Sequence, residues 1–161
     1  MHFFSTRCFF IVELKHQDVD IDRGPYEHGE NALSWAVRNP NNLDMVKNLV
    51  ESGANVHLRD GHGFSHLHRA VEALDIVEYL YSVCSSINIY GHDMVLVSPC
   101  WHAVSEQNVP MVGLLVGHGA RMNSPRAFYG FAPFNIAVNL GNLEIICYMI
   151  SEGADVTVKG N

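Results

Sequence analysis

Apolar side chains return at helical spacing in four runs along the chain. Leu43, Val46, Leu49 and Val50 follow i, i+3, i+6, i+7. Ile76, Val77 and Leu80 repeat the theme, then Met111, Val112, Leu114 and Leu115, then Leu143, Ile145, Ile146, Met149 and Ile150. Such spacing turns one helical face toward a core. Each run follows a shorter segment that also predicts a helix: Asn31-Ala32-Leu33-Ser34-Trp35-Ala36, Ser65-His66-Leu67-His68-Arg69-Ala70, Ser98-Pro99-Cys100-Trp101-His102-Ala103 and Ala132-Pro133-Phe134-Asn135-Ile136-Ala137. The pattern is therefore one of helix pairs. Asn31, Ser65 and Ser98 are expected N-caps, because a side-chain oxygen can accept from the free N–H groups of the first turn. Ala132 cannot, so the fourth segment starts less firmly. Pro99 and Pro133 fall at the first helical position, where no N–H is missed.

The segments are copies of one another. Ala36, Ala70, Ala103 and Ala137 stand 34, 33 and 34 residues apart. Their small side chains allow close helix approach. A second landmark keeps phase: Gly53-Ala54, Gly119-Ala120 and Gly153-Ala154 each follow the second helix. These glycines are expected to close their helices in a left-handed conformation. In the second copy Cys84-Ser85 takes that place, and Cys84 should carry strain on the order of 1 kcal/mol. The first copy has an extra residue within Asn39-Pro40-Asn41-Asn42, and the second lacks about two near Ala73-Leu74. Pro110 is tolerable only within the first turn of its helix. The second copy is the expected weak link, since each unit relies on its neighbours to bury its apolar face.

These residues resemble the ankyrin repeat, whose first helix opens with a Thr-Pro-Leu-His-x-Ala pattern and whose second ends in Gly-Ala-Asp. The resemblance covers about Asp20 to Val158. It implies an all-α fold, an ankyrin-repeat α-solenoid of helix–turn–helix pairs joined by β-hairpin-like loops. Residues 20–161 form the array, with repeats at about 29–60, 63–93, 96–126 and 130–161. Residues 1–19 form a partial or capping repeat: Val12 to Lys15 fits a second-helix end, although His16 and Gln17 stand where Gly-Ala is usual. The 161 residues make about 4.9 units of 33.

Composition narrows the function. Apolar residues are 48 % and charged residues 17 %, which suits a folded core. Lys plus Arg is 10 against Asp plus Glu at 17, a net charge of −7. That balance argues against nucleic acid or an anionic membrane as partner. The N-terminal apolar run Cys8 to Val12 is broken by Glu13 and Lys15, so neither a secretory signal nor membrane insertion is expected. Cys8, Cys84, Cys100 and Cys147 form no CxxC pair, which favours a reducing compartment. The expected location is the cytoplasm, with the nucleus as the alternative.

The 10 histidines invite a metal reading, and His62, His66 and His68 have HxxxHxH spacing. The repeat phase gives each a different place. His68 falls on the motif histidine, which in the resemblance hydrogen-bonds between repeats. His66 replaces the proline of the first helical position, and His62 lies on the preceding hairpin. Residues two apart on a helix do not face each other. No metal and no cofactor are expected. Cys100 and His102 are also two apart, and Cys100 occupies a buried motif position, whereas nucleophilic catalysis needs an accessible, activated thiol. The chain is not expected to be an enzyme. Trp35 and Trp101 are expected to be packing residues.

A binding surface remains. In the resemblance, hairpin tips and the exposed ends of first helices line a concave face. The partner-binding candidates are Tyr26, Arg38, Arg59, His62, Glu72, Tyr90, His92, Arg126, Phe128 and Tyr129, with Glu27, His28, Ser105, Glu106 and Asn139 beside them. Aromatic and Arg residues are enriched at binding hot spots; the alternative is that Tyr90, Phe128 and Tyr129 pack on neighbouring loops. The expectation is a monomeric, non-enzymatic module that binds a protein partner of unknown identity. Ile146 and Ile150, expected to be exposed, allow a second reading: a fragment of a larger ankyrin-repeat scaffold or adaptor. A third is a small viral-type inhibitor of a host transcription factor. A metal-binding or enzymatic protein rests only on the histidine count.

Overall fold

The computed structural model describes residues 20–24, 29–89, 91, 93, 97–124 and 131–157. The partial repeat expected at 1–19 lies outside them. The described residues form helices and turns with one isolated antiparallel bridge, Arg59 to Ser65, so the fold is all-α. The chain divides after Ile87 into two compact units.

The first unit holds α1 (Ala32–Ala36), a 3-10 turn (Pro40–Asn42), α2 (Leu43–Glu51), α3 (His66–Arg69) and α4 (Leu74–Val83). Asn31 caps α1 by accepting from the Ser34 N–H at 2.8 Å. Ser65 caps α3 in a reciprocal box with His68, whose Nδ1 accepts from the Ser65 N–H at 3.1 Å. Helix α1 packs on α2 and α3, and α2 packs on α4. Leu33, Val46, Leu49, Leu67, Ile76, Val77 and Leu80 fill the core, with Ala36 and Ala70 buried where the helices approach. The Asn55 N–H donates to Asp22 Oδ1 at 2.9 Å, tying loops 33 residues apart.

The second unit holds α5 (Pro99–Ser105), α6 (Val109–Gly117), α7 (Pro133–Leu140) and α8 (Leu143–Ser151). Ser98 caps α5 through the Trp101 N–H at 3.2 Å, and Pro99, Pro110 and Pro133 sit in first turns. Helix α5 packs on α6 and α7, α6 on α8, and α7 on α8. Cys100, Val104, Met111, Val112, Leu115, Ile145 and Met149 are buried between them. Asn123 and Asp155 exchange two bonds: the Asp155 N–H donates to Asn123 Oδ1 at 2.8 Å, and Asn123 Nδ2 donates to the Asp155 carbonyl at 2.9 Å.

The irregular repeats appear where the spacing placed them. Ala103 to Val109 and Ala137 to Leu143 each span six positions; Ala36 to Leu43 spans seven, and Ala70 to Leu74 only four. The 3-10 turn absorbs the extra residue, and the missing two leave α3 at 4 residues.

Three expectations need correction. Gly53, Gly119 and Gly153 do take positive φ, at 96°, 90° and 87°, but Cys84 lies at φ −143° and ψ 87°. That is extended backbone open to any residue, so the expected strain is absent. Trp35 is not a packing residue: it is 47 % exposed. In α8 Ile150 is exposed at 46 %, as expected, but Ile146 is half-buried and Leu143 of the apolar run is 73 % exposed.

Candidate functional site

The site starts from one carboxylate. In the loop before α3 the Asp60 N–H donates to the Phe64 carbonyl at 3.0 Å, closing a hairpin. Asp60 Oδ1 accepts from the N–H groups of His62 at 2.9 Å and Phe64 at 3.0 Å. Its Oδ2 accepts from Arg69, through Nε at 3.1 Å and through Nη2. Burial alone would raise the Asp60 pKa; the Arg69 guanidinium and the two backbone donors outweigh it and hold the carboxyl below its usual range.

Arg69 carries the network outward. Its guanidinium lies 4.3 Å from the Phe64 ring centroid, and its Nη2 is 3.2 Å from Glu30 Oε1. Glu30 also pairs with Arg38, whose guanidinium sits 4.5 Å from the centre of the Trp35 ring. Trp35, Arg38, Glu30, Arg69 and Asp60 thus form one chain of contacts within the first unit. The carboxylates lie inward, with side-chain exposures of 13 % for Glu30 and 1 % for Asp60. The indole lies outward, and Arg38 is half-buried beside it. A Cβ at Gly24 would overlap the Glu30 carbonyl, so glycine there lets the chain close beneath Glu30.

Of the sequence candidates, Arg38 enters this network directly. Arg59 and His62 are exposed on the Asp60 hairpin, where Arg59 Nη1 donates to the Gly63 carbonyl at 2.8 Å. Glu72 is exposed in the turn after α3. Ser105 is half-buried; Glu106 and Asn139 are exposed in the second unit. Tyr26, Glu27, His28, Tyr90, His92, Arg126, Phe128 and Tyr129 lie outside the described residues. The sequence reading missed Trp35, Glu30, Asp60, Phe64 and Arg69 as members of the site. One signal was available. Asp60 recurs as Asp93, which accepts from the Val97 N–H at 2.9 Å and lies 3.6 Å from His102. In both copies the basic residue follows the aspartate by nine positions.

The remaining titratable candidates point elsewhere. His66 is buried, with Nδ1 3.0 Å from the Val56 carbonyl and Nε2 3.5 Å from Ser34 Oγ. It reaches back into the first repeat, and His68 Nδ1 accepts from the Ser65 N–H at the start of its own helix. Burial pushes the His66 pKa down, against the Val56 bond and the charges of Asp22 and Asp60. Among the described residues no group of three His, Cys, Asp or Glu could hold a metal ion. Burial pushes the Cys100 thiol up to about 12, leaving it a core side chain. Trp101 is half-buried and stands edge-on to His102 at 5.7 Å.

Comparison with known families settles the repeat. A family model of ankyrin repeats in three copies matches residues 5–93, and a single ankyrin repeat matches residues 129–161. The chain belongs to the ankyrin repeat family. An ankyrin repeat protein of fowlpox virus is 32 % identical over 100 residues, 59 % of this chain and 29 % of that protein. The B-cell lymphoma 3 protein homolog of Mus musculus is 29 % identical over 136 residues, 82 % of this chain and 30 % of that protein. A palmitoyltransferase of Danio rerio is 28 % identical, with the match covering 80 % of this chain and 20 % of that enzyme. The chain thus spans less than a third of the length of each of these relatives. Ankyrin repeats generally serve as protein-interaction modules rather than catalysts. No described helix is long and apolar enough to cross a membrane.

Proposed function

We propose that this ankyrin protein is a non-enzymatic binding module, and that the face carrying Trp35, Arg38, Arg59 and His62 engages a protein partner. The observation behind this reading is the exposed Trp35 indole with the Arg38 guanidinium stacked on it and fixed from below by Glu30. Trp and Arg are the residues most enriched at binding hot spots. A side chain already held in place loses less entropy on binding than a free one. Tyr26, Glu72, Tyr90, His92, Arg126, Phe128 and Tyr129 remain further candidates for partner contact in this proposal. A monomer acting in the cytoplasm, with the nucleus as second location, fits the free Cys100 packed in the core.

The test is affinity capture with the full chain and with a Trp35→Ala, Arg38→Ala variant. The variant should lose a partner that the parent retains, while its far-ultraviolet circular dichroism stays unchanged. Equal retention by both would remove these residues from the interface. A Tyr90→Ala, Tyr129→Ala variant tests the hairpin tips in the same way. The similarity to the fowlpox protein favours a second reading, a viral-type inhibitor of a host transcription factor. A larger scaffold or adaptor fits the short share of each relative that the match covers.

A further inference from the structure

Three described cysteines stand in different surroundings. Cys100 is buried, and its proton is held up to about 12. Cys147 is exposed on α8. Cys84 is half-buried just after α4, with Sγ 3.4 Å from His57 Nε2 and 3.4 Å from Ser86 Oγ. This contact arises from a departure in the second repeat. The left-handed glycine of the other repeats is replaced by an extended cysteine, and its side chain meets the exit loop of the first repeat. That loop is itself anchored: the His57 N–H donates to Asn55 Oδ1 at 2.9 Å, and the Asn55 N–H donates to Asp22. The imidazole is exposed, so a small reagent can reach the pair.

We propose that His57 and Cys84 form a thiol–imidazole pair, and that Cys84 is a site of covalent modification by small soluble disulfides. An imidazole within reach of a thiol is the arrangement that activates a sulfur nucleophile. His57 Nε2 takes the thiol proton, and the Cys84 thiolate attacks one sulfur of the disulfide. A new S–S bond forms as the old one breaks, and the departing thiolate takes the proton from the imidazolium. The products are a mixed disulfide on Cys84 and one free small thiol. The modification displaces a contact between the first and second repeats at the C-terminal end of α4. Covalent occupancy at Cys84 therefore bears on the repeat with the shortest first helix.

The test treats the full chain with glutathione disulfide in excess and follows each cysteine by peptide mass spectrometry from pH 5.5 to 8.5. At pH 7 Cys84 should react at least about fivefold faster than Cys147, although Cys147 is the more exposed. In His57→Gln the Cys84 rate should fall to within about twofold of Cys147, since the base is gone. Equal rates in the parent protein, or an undiminished Cys84 rate in His57→Gln, would overturn the proposal. Cys100 reports on folding and should stay unmodified throughout. Should it react in His57→Gln, the parent ratio of Cys84 to Cys147 decides alone.

Discussion

His66 shows how one residue sets a pH dependence. Its ring is buried against Val56 and Ser34, with Asp22, Asp60 and His57 as the charged or titratable groups acting on it. Desolvation disfavours the imidazolium, so the folded pKa lies below the ordinary value of 6.5. The unfolded chain then binds more protons than the folded one as pH falls through that value. Stability must rise with pH in this window and be lost below about pH 6.5. Asp60 does not confuse the measurement, because its carboxyl, held below 3.8, is ionised in both states there. Urea midpoints at pH 7.5 and 5.5 should differ more for the parent than for His66→Gln. An equal drop in both would assign the acid sensitivity to other histidines.

At the scale of elements, helix starts follow from local chemistry. Asn31, Ser65 and Ser98 cap as their side chains predict, because a cap needs only its own next three residues. Helix α7 lacks one: Ala132 stands at its N-cap in extended conformation, φ −65° and ψ 159°, with no side-chain bond. This is the backbone that lets Ser98 reach the Trp101 N–H in α5. Ala132→Ser should therefore place Oγ toward the Asn135 N–H and stabilise the chain by about 1 kcal/mol. The readout is a higher urea midpoint with unchanged slope. A lower midpoint would mean that the buried site has no room for a hydroxyl. Phase and turn length were equally legible: the extra residue near Pro40 and the two missing near Ala73 needed only counting. The contacts joining Trp35, Arg38, Glu30, Arg69 and Asp60 were not. They pair residues up to 39 positions apart, and helical periodicity says which face a residue occupies, not which charge it will meet. Trp35 was misread for the same reason, since position in the motif does not fix exposure.

Across the molecule, a repeat's stability comes from its own pair of helices and from the neighbour that covers it. The second unit offers a controlled comparison. Val116 in α6 and Ile150 in α8 occupy the same place in successive repeats, 34 residues apart. Val116 is 7 % exposed, in a helix that packs against α8, whereas Ile150 is 46 % exposed. The sequence gives both the same apolar character and the same spacing from the motif alanine. Among the described residues α6 is covered by α8, and Ile150 stands exposed, as the sequence reading expected. Area removed from water, rather than residue type, should set the cost of truncation. Val116→Ala should destabilise by about 2 kcal/mol through lost burial and a residual cavity. Ile150→Ala deletes more atoms, yet should stay within about 0.5 kcal/mol, because its side chain is largely hydrated already. Urea unfolding of the full chain and both variants ranks them directly. If Ile150→Ala proves as costly as Val116→Ala, the outer stripe of α8 is covered in solution, and the exposed Leu143 beside it becomes the next position to truncate.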